Sequence, residues 1–205
     1  MIERAKEILE FWFGDVGDDT PPEEAKAQTQ KWFKRDDAFD RTIRERFGKD
    51  LKRAADGELR GWEDDRFGRL AVIIMLDQFS RNIYRDSPKA FENDEQALEL
   101  TLRSINEGFD RRYSLTQRHF LYLPLMHSED FRMQKKSLTM YETLLGWAYE
   151  MSKPYKVEQF KNVLEYARRH HDIIERFGRF PHRNQALGRE STPGELAFLN
   201  EHGGF

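Results

Sequence analysis

The stretch PYKVEQFKNVLEYARRHHDIIERFG, residues 154–178, decides the fold class. Its apolar or semi-apolar positions are 157, 160, 164, 167, 171 and 174, alternating spacings of three and four that line one side of an α-helix. Pro154 suits a first helical turn, where a missing N–H is not needed, and Gly178 suits the left-handed position just past the last turn. So narrow a stripe on so long a helix needs helical neighbours to cover it.

The same signals recur outward in both directions. Residues 2–13 read as an amphipathic helix stopped by Gly14, and Thr20-Pro21-Pro22 offers a cap and an initiating proline for a helix ending near Trp32-Phe33. After Asp36, residues Phe39, Ile43, Phe47 and Leu51 fall at a spacing of four on one face, with Gly57 as a stop. Residues 65–79 are the most hydrophobic segment and predict the central helix; Ser87-Pro88 opens a segment that closes at Gly108. Ser114 with Gln117 forms a capping box, Ser128 can cap a long helix running to about Met151, and Thr192 with Glu195 repeats the box for a short final helix. Asn-Gly hairpin turns and sustained apolar–polar alternation are both absent. The expectation is an all-α single domain over residues 1–205, with about eight or nine helices in stacked antiparallel pairs.

Composition agrees. The chain has 205 residues, 38% hydrophobic against 35% charged, yet it carries 16 Phe and 4 Trp, which fits aromatic stripes inside charged helical faces. A net charge of −3 gives no general attraction to nucleic acid or anionic lipid. Without cysteine there is no disulfide and no thiolate metal site. The longest apolar run, Leu70 to Leu76, is far short of the ~20 residues of a membrane span, and Ile2-Glu3-Arg4 does not begin a signal sequence. A cytoplasmic location follows as the expectation, with no membrane and no nucleic-acid partner.

The chain resembles the bacterial family known as domain of unknown function 924. The resemblance rests on Phe11-Trp12-Phe13-Gly14, Lys31-Trp32-Phe33, Leu76-Asp77-Gln78-Phe79-Ser80-Arg81-Asn82 and His127-Ser128-Glu129-Asp130. It continues through Phe177-Gly178-Arg179-Phe180-Pro181-His182-Arg183-Asn184 and Leu187-Gly188-Arg189-Glu190-Ser191-Thr192, in the family's order across nearly the whole chain. Ser80 stands where the family more often has proline. The resemblance implies an all-α, tetratricopeptide-repeat-like fold and no particular activity.

The chemistry must come from the residues. The turn 177–189 gathers Arg179, Arg183, Arg189, His182 and Asn184 between two helices, more directional donors than a connection needs. Asp77 follows Ile73 and Ile74 on the inner face of the central helix, where an ionised carboxylate requires partners. Arg81 lies four residues on, and Arg85, Arg179, Arg183 and Arg189 are further candidates to fork onto it. If the arginines are all matched by carboxylates, the cluster is a structural staple; if they outnumber them, it is a pocket for an anion. Glu129 and Asp130 suit a helix start, which leaves His127 to join His182 at the polar site. Gln78, Asn82, Glu129 and Asn184 complete the candidate ligand-binding set.

A binding module for a small anionic ligand or a peptide is the favoured function. An enzyme with hydrolase-type acid–base chemistry on His127 or His182 is the alternative, and no catalytic residue is assigned. Nucleophile elbows, P-loops and dinucleotide-binding glycine patterns are missing. His170-His171-Asp172 invites a metal, but adjacent helical side chains point about 100° apart, so a packing role for His171 on the stripe is preferred. No metal or cofactor is assigned. Trp12, Trp32 and Trp62 are read as core rather than as a partner surface. The oligomeric state is left open.

Overall fold

The computed structural model describes residues 2–203, which fold into nine helices and no strand. They are α1 (Glu3–Phe13), α2 (Pro22–Phe33), α3 (Asp37–Ala55), α4 (Arg66–Ile74, continued by Met75–Phe79 and Ser80–Ile83) and α5 (Asp94–Asn106). Then follow α6 (Leu115–His127), α7 (Phe131–Glu150), α8 (Pro154–Phe177) and α9 (Pro193–His202). Short 3-10 turns, among them Pro88–Ala90 and Pro181–Arg183, fill several connections. No helix of the described residues is long and apolar enough to cross a membrane.

Local chemistry sets most boundaries. The reciprocal boxes Ser114–Gln117 and Thr192–Glu195 both form, and Asp36 caps α3 by accepting from Ala38 N and Phe39 N at 2.9 and 3.1 Å. Three expected starts are corrected. Thr20 does not cap α2; its hydroxyl accepts from Gly17 N at 2.9 Å, and the helix begins behind Pro21. Ser128 does not cap α7; it accepts from Asp130 N at 3.1 Å, and Asp130 caps the helix through Arg132 N at 2.8 Å. Ser87 caps only the turn Pro88–Ala90, so α5 starts later, at Asp94.

The central helix is α4, whose residues 70–76 are buried all round. Helices α1, α3 and α5 pack on it, whereas α6, α7 and α8 stack side by side. Gly68 fixes how α4 enters the core: a Cβ there would meet the Trp62 carbonyl oxygen at 2.3 Å. Trp12 and Trp32 are buried in the main core and Trp62 packs against its edge.

Two details of α4 and α8 place the site. Met75–Phe79 is a π turn, closed by the Ser80 N–H on the Met75 carbonyl five residues back. On α8 the buried positions are Lys156, Phe160, Leu164, Ala167, His170, Ile173 and Ile174, so His170 rather than His171 faces inward. His171, about 100° further round the helix, instead packs its ring beside Phe131 at 5.0 Å and lies 3.1 Å from Asp172. Beyond α8, Gly178 takes the expected left-handed conformation at φ 69°. Ile173, Ile174 and Phe180 form a small second core, packed with Phe131, Phe177 and Phe198, which presses the turn after α8 against the start of α7.

Candidate functional site

Asp77 lies in the π turn with its side chain 1% exposed, and its charge is met from three directions. His127, the last residue of α6, places Nδ1 2.7 Å from Asp77 Oδ1. The Arg81 guanidinium is 3.2 Å from the same oxygen and donates to the Asp77 carbonyl at 2.7 Å. Gln78 Nε2 donates to Asp77 Oδ2 at 2.6 Å. Burial opposes ionisation, but Arg81 and His127 outweigh it and hold the carboxyl well below the usual carboxylate range.

Asp94, at the start of α5, extends the cluster. It accepts both terminal nitrogens of Arg81 at 2.9 and 3.0 Å and Arg183 Nη1 at 3.2 Å. Arg183 also donates to the His127 carbonyl at 2.9 Å, and its guanidinium is sandwiched between the rings of Phe91 and Phe180, 4.7 and 4.6 Å from their centroids. Its Nε is buried without a hydrogen-bond partner. Burial and the neighbouring Arg81 lower its pKa to about 10, so it stays charged at neutral pH.

The other predicted arginines do not reach Asp77. Arg85 forks onto Asp40 of α3, contacting it through Nε and at 3.0 Å through Nη2, and Asn82 donates to the same carboxylate at 2.7 Å. Arg179 forks onto Glu195 at 2.7 and 2.8 Å and also donates to the Glu190 carbonyl. Arg189 forks onto Glu129 at 2.8 and 3.0 Å, and its Nε donates to Asn184 Oδ1 at 2.9 Å. Glu129 in turn accepts from Phe180 N at 2.8 Å. The sequence order of the donors therefore hides two clusters. Asp77, Gln78, Arg81, His127 and Arg183 form one, while Glu129, Arg179, Asn184 and Arg189 tie the turn to α7 and α9. Asn82 and Arg85 join α4 to α3.

The first cluster opens, together with Arg85, on a cavity of about 330 Å³, lined by Arg35, Arg81, Arg85, Phe91, His127, Tyr166, His170, His182 and Arg183 among others. A larger groove of about 960 Å³ lies behind Arg183 and His127 and carries Glu92, Asp94, Glu95, Glu129 and Asp130. The wall between them is thus basic and imidazole-rich on one side and acidic on the other. Burial lowers the pKa of His170 to about 3, and burial with Arg183 lowers that of His182 to about 4. His127 is pushed down by burial and by Arg81, with Asp77 opposing. All three rings are therefore neutral at pH 7.

Sequence reasoning missed Asp94, Asp40, Glu195, Phe91 and His170. Asp94 and Asp40 sit in helical first turns, where acids are common for local reasons, and nothing near them in sequence points to Arg183 or Arg85. Glu195 was visible only as a capping-box residue, a role it also fills. Among the described residues, His171, Asp172 and Glu175 also bring ligand-type atoms within 4.8 Å, on the outer side of α8 away from this cavity's lining.

No curated protein matches the chain. Among solved structures it is similar to the protein of unknown function ATU0120 from Agrobacterium tumefaciens, 34% identical, covering 97% of this chain and 98% of that one with a TM-score of 0.78. Residues 8–203 match the family described as bacterial protein of unknown function (DUF924), and the chain belongs to that family.

Proposed function

We propose that the 330 Å³ cavity binds a small organic anion through guanidinium donors that the protein has already fixed in place. The observation that carries this is the way Arg81 and Arg85 are held. Each fork is locked by a carboxylate behind it, Asp94 or Asp40, and the guanidinium still lines the cavity. A guanidinium has five N–H donors, and Arg85 commits only Nε and Nη2 to Asp40. Its Nη1 has no partner among the described residues. Charge matching by buried acids leaves the wall rich in donors without a large net field, which favours directional recognition of one carboxylate or phosphate group.

A small ligand is favoured over a peptide because Trp12 and Trp32, which a peptide groove would have presented, lie in the core. Of the large exposed apolar residues, Phe33, Tyr149 and Leu196 are far apart in the chain and do not line the cavity, and Tyr166 contributes one ring to its wall. The test is a thermal-shift series with organic acids and phosphate esters. A ligand at 100 times its Kd stabilises the fold by about 2.7 kcal/mol. Arg85→Lys keeps the charge, loses the fork, and is expected to weaken binding roughly tenfold, the worth of about 1.4 kcal/mol of directed hydrogen bonding. Absence of stabilisation by any acid or phosphate ester would remove this reading.

A further inference from the structure

We infer that His127 is a general base that removes a proton from the carbon next to the carbonyl of a bound 2-oxo acid or phosphorylated ketone, an inference that rests on the anion-binding reading above. Three features of the cavity lead there.

First, the ring is oriented and its free edge is available. Asp77 is ionised, so the 2.7 Å contact with His127 Nδ1 is a hydrogen bond donated by the ring, which leaves the lone pair of the neutral imidazole on Nε2. Nε2 has no hydrogen-bond partner among the described residues and is absent from the buried, unpartnered atoms; the side chain as a whole is 15% exposed, and His127 lines both this cavity and the acidic groove behind it. Burial and Arg81 keep the ring neutral at pH 7, the state a base requires.

Second, the described lining residues offer the base no serine, threonine or cysteine to activate. The cavity is lined by arginine, histidine, Tyr166, Phe91, Asp86 and Ala90. Ser128 lines the acidic groove behind instead, where its hydroxyl accepts from Asp130 N. A proton accepted by His127 must therefore come from the ligand or from water, not from a side chain poised to attack.

Third, the groups that would receive the displaced charge are present. Arg81 and Arg85 line the same cavity, and fixed guanidinium donors stabilise a developing oxyanion without reorganising. The step balances on these groups alone. The C–H bond breaks and its proton passes to Nε2. The electron pair forms the C=C bond of an enolate, and the carbonyl oxygen takes the negative charge beside the guanidiniums. The imidazolium is stabilised by Asp77 and returns a proton from solvent on reversal.

The experiment is proton exchange in D₂O followed by NMR, with pyruvate, 2-oxoglutarate and dihydroxyacetone phosphate as probes. Binding is read in parallel from chemical-shift changes in the protein. The expected result is protein-catalysed loss of the α-proton signal from a probe that binds. His127→Gln should cut the exchange rate at least about 10²-fold while the probe still binds, the usual share of a positioned base. Should that variant fail to fold, carbethoxylation of His127 in the wild-type protein, located by mass spectrometry and slowed by the probe, is the second measurement. A probe that binds without exchange, or exchange that survives loss of His127, overturns the inference and leaves the anion-binding reading standing. No binding by any probe removes both.

Discussion

The ends and the middle of the donor-rich turn after α8 look alike in sequence and behave differently in the fold. Arg179 and Arg189 meet Glu195 and Glu129 in two-pronged pairs, with the Glu190 and Phe180 carbonyls and the Asn184 side chain as further acceptors. Arg183, between them, shares Asp94 with Arg81 and borders a cavity that it walls together with His127 and His182. Residue type does not separate architecture from site here. What separates them is what they border: Arg183 lines the cavity, and Arg179 and Arg189 do not.

The largest expected effect comes from breaking the inner cluster. Asp77→Ala leaves His127 and Arg81 without the carboxylate they share and should cost about 3–5 kcal/mol in urea unfolding, the usual penalty for unpairing a buried charge. A loss below about 1 kcal/mol would show that Asp94 alone suffices for Arg81.

Acid should then separate the middle from the ends. The folded pKa values of His119, His170 and His182 are lowered, to about 3, 3 and 4, by burial in each case. The unfolded chain binds more protons than the folded one between these values and 6.5, so stability falls as pH drops through that window. The carboxylates of the outer pairs behave differently. Glu195, paired with Arg179, is lowered to about 2, so its contribution is complete above 4.5 and disappears only as pH falls towards 2. Melting temperature is therefore expected to fall by several degrees between pH 7 and 4.5, while the Phe180 amide, bonded to Glu129, keeps its protection from hydrogen exchange at pH 5. Early loss of that protection would mean the middle and the ends are one unit.

The smallest effect belongs to Glu129→Gln. Its carboxylate is partly exposed, so losing the Arg189 fork should cost about 1 kcal/mol, or roughly 2–4 °C in Tm, with anion binding in the cavity unchanged. Reduced binding in this variant would merge structure and site and blunt the contrast.

These contrasts also show what a sequence exposes. Caps and stripes are local, so Asp36, Ser114 with Gln117, Thr192 with Glu195, and the stripe of α8 predict helices that form where expected. The donors of the site were also legible, because Arg and His cannot be placed in a turn without being noticed. Their acceptors were not. Arg183 finds Asp94 across 89 residues and Arg85 finds Asp40 across 45, and an acid in the first turn of a helix looks the same whether or not an arginine reaches it. Of the five arginines named as candidates for Asp77, Arg81 does reach it, and the other four find their acceptors elsewhere for that reason. The π turn escaped as well, because nothing in Met75-Leu76-Asp77-Gln78-Phe79 departs from ordinary helical composition.

That turn has a consequence for how the protein can vary. It holds one residue more than a regular helical turn, so each residue beyond it is set back by about 100° relative to an unbroken α-helix. Removing any single residue from 75–79 would make the rod more regular and at the same time swing Arg81, Asn82 and Arg85 away from Asp94 and Asp40. Substitutions in this segment leave that phase intact, whereas a deletion would change it. The helical phase of the segment therefore depends on its length, while its letters carry the packing and the pairing of Asp77.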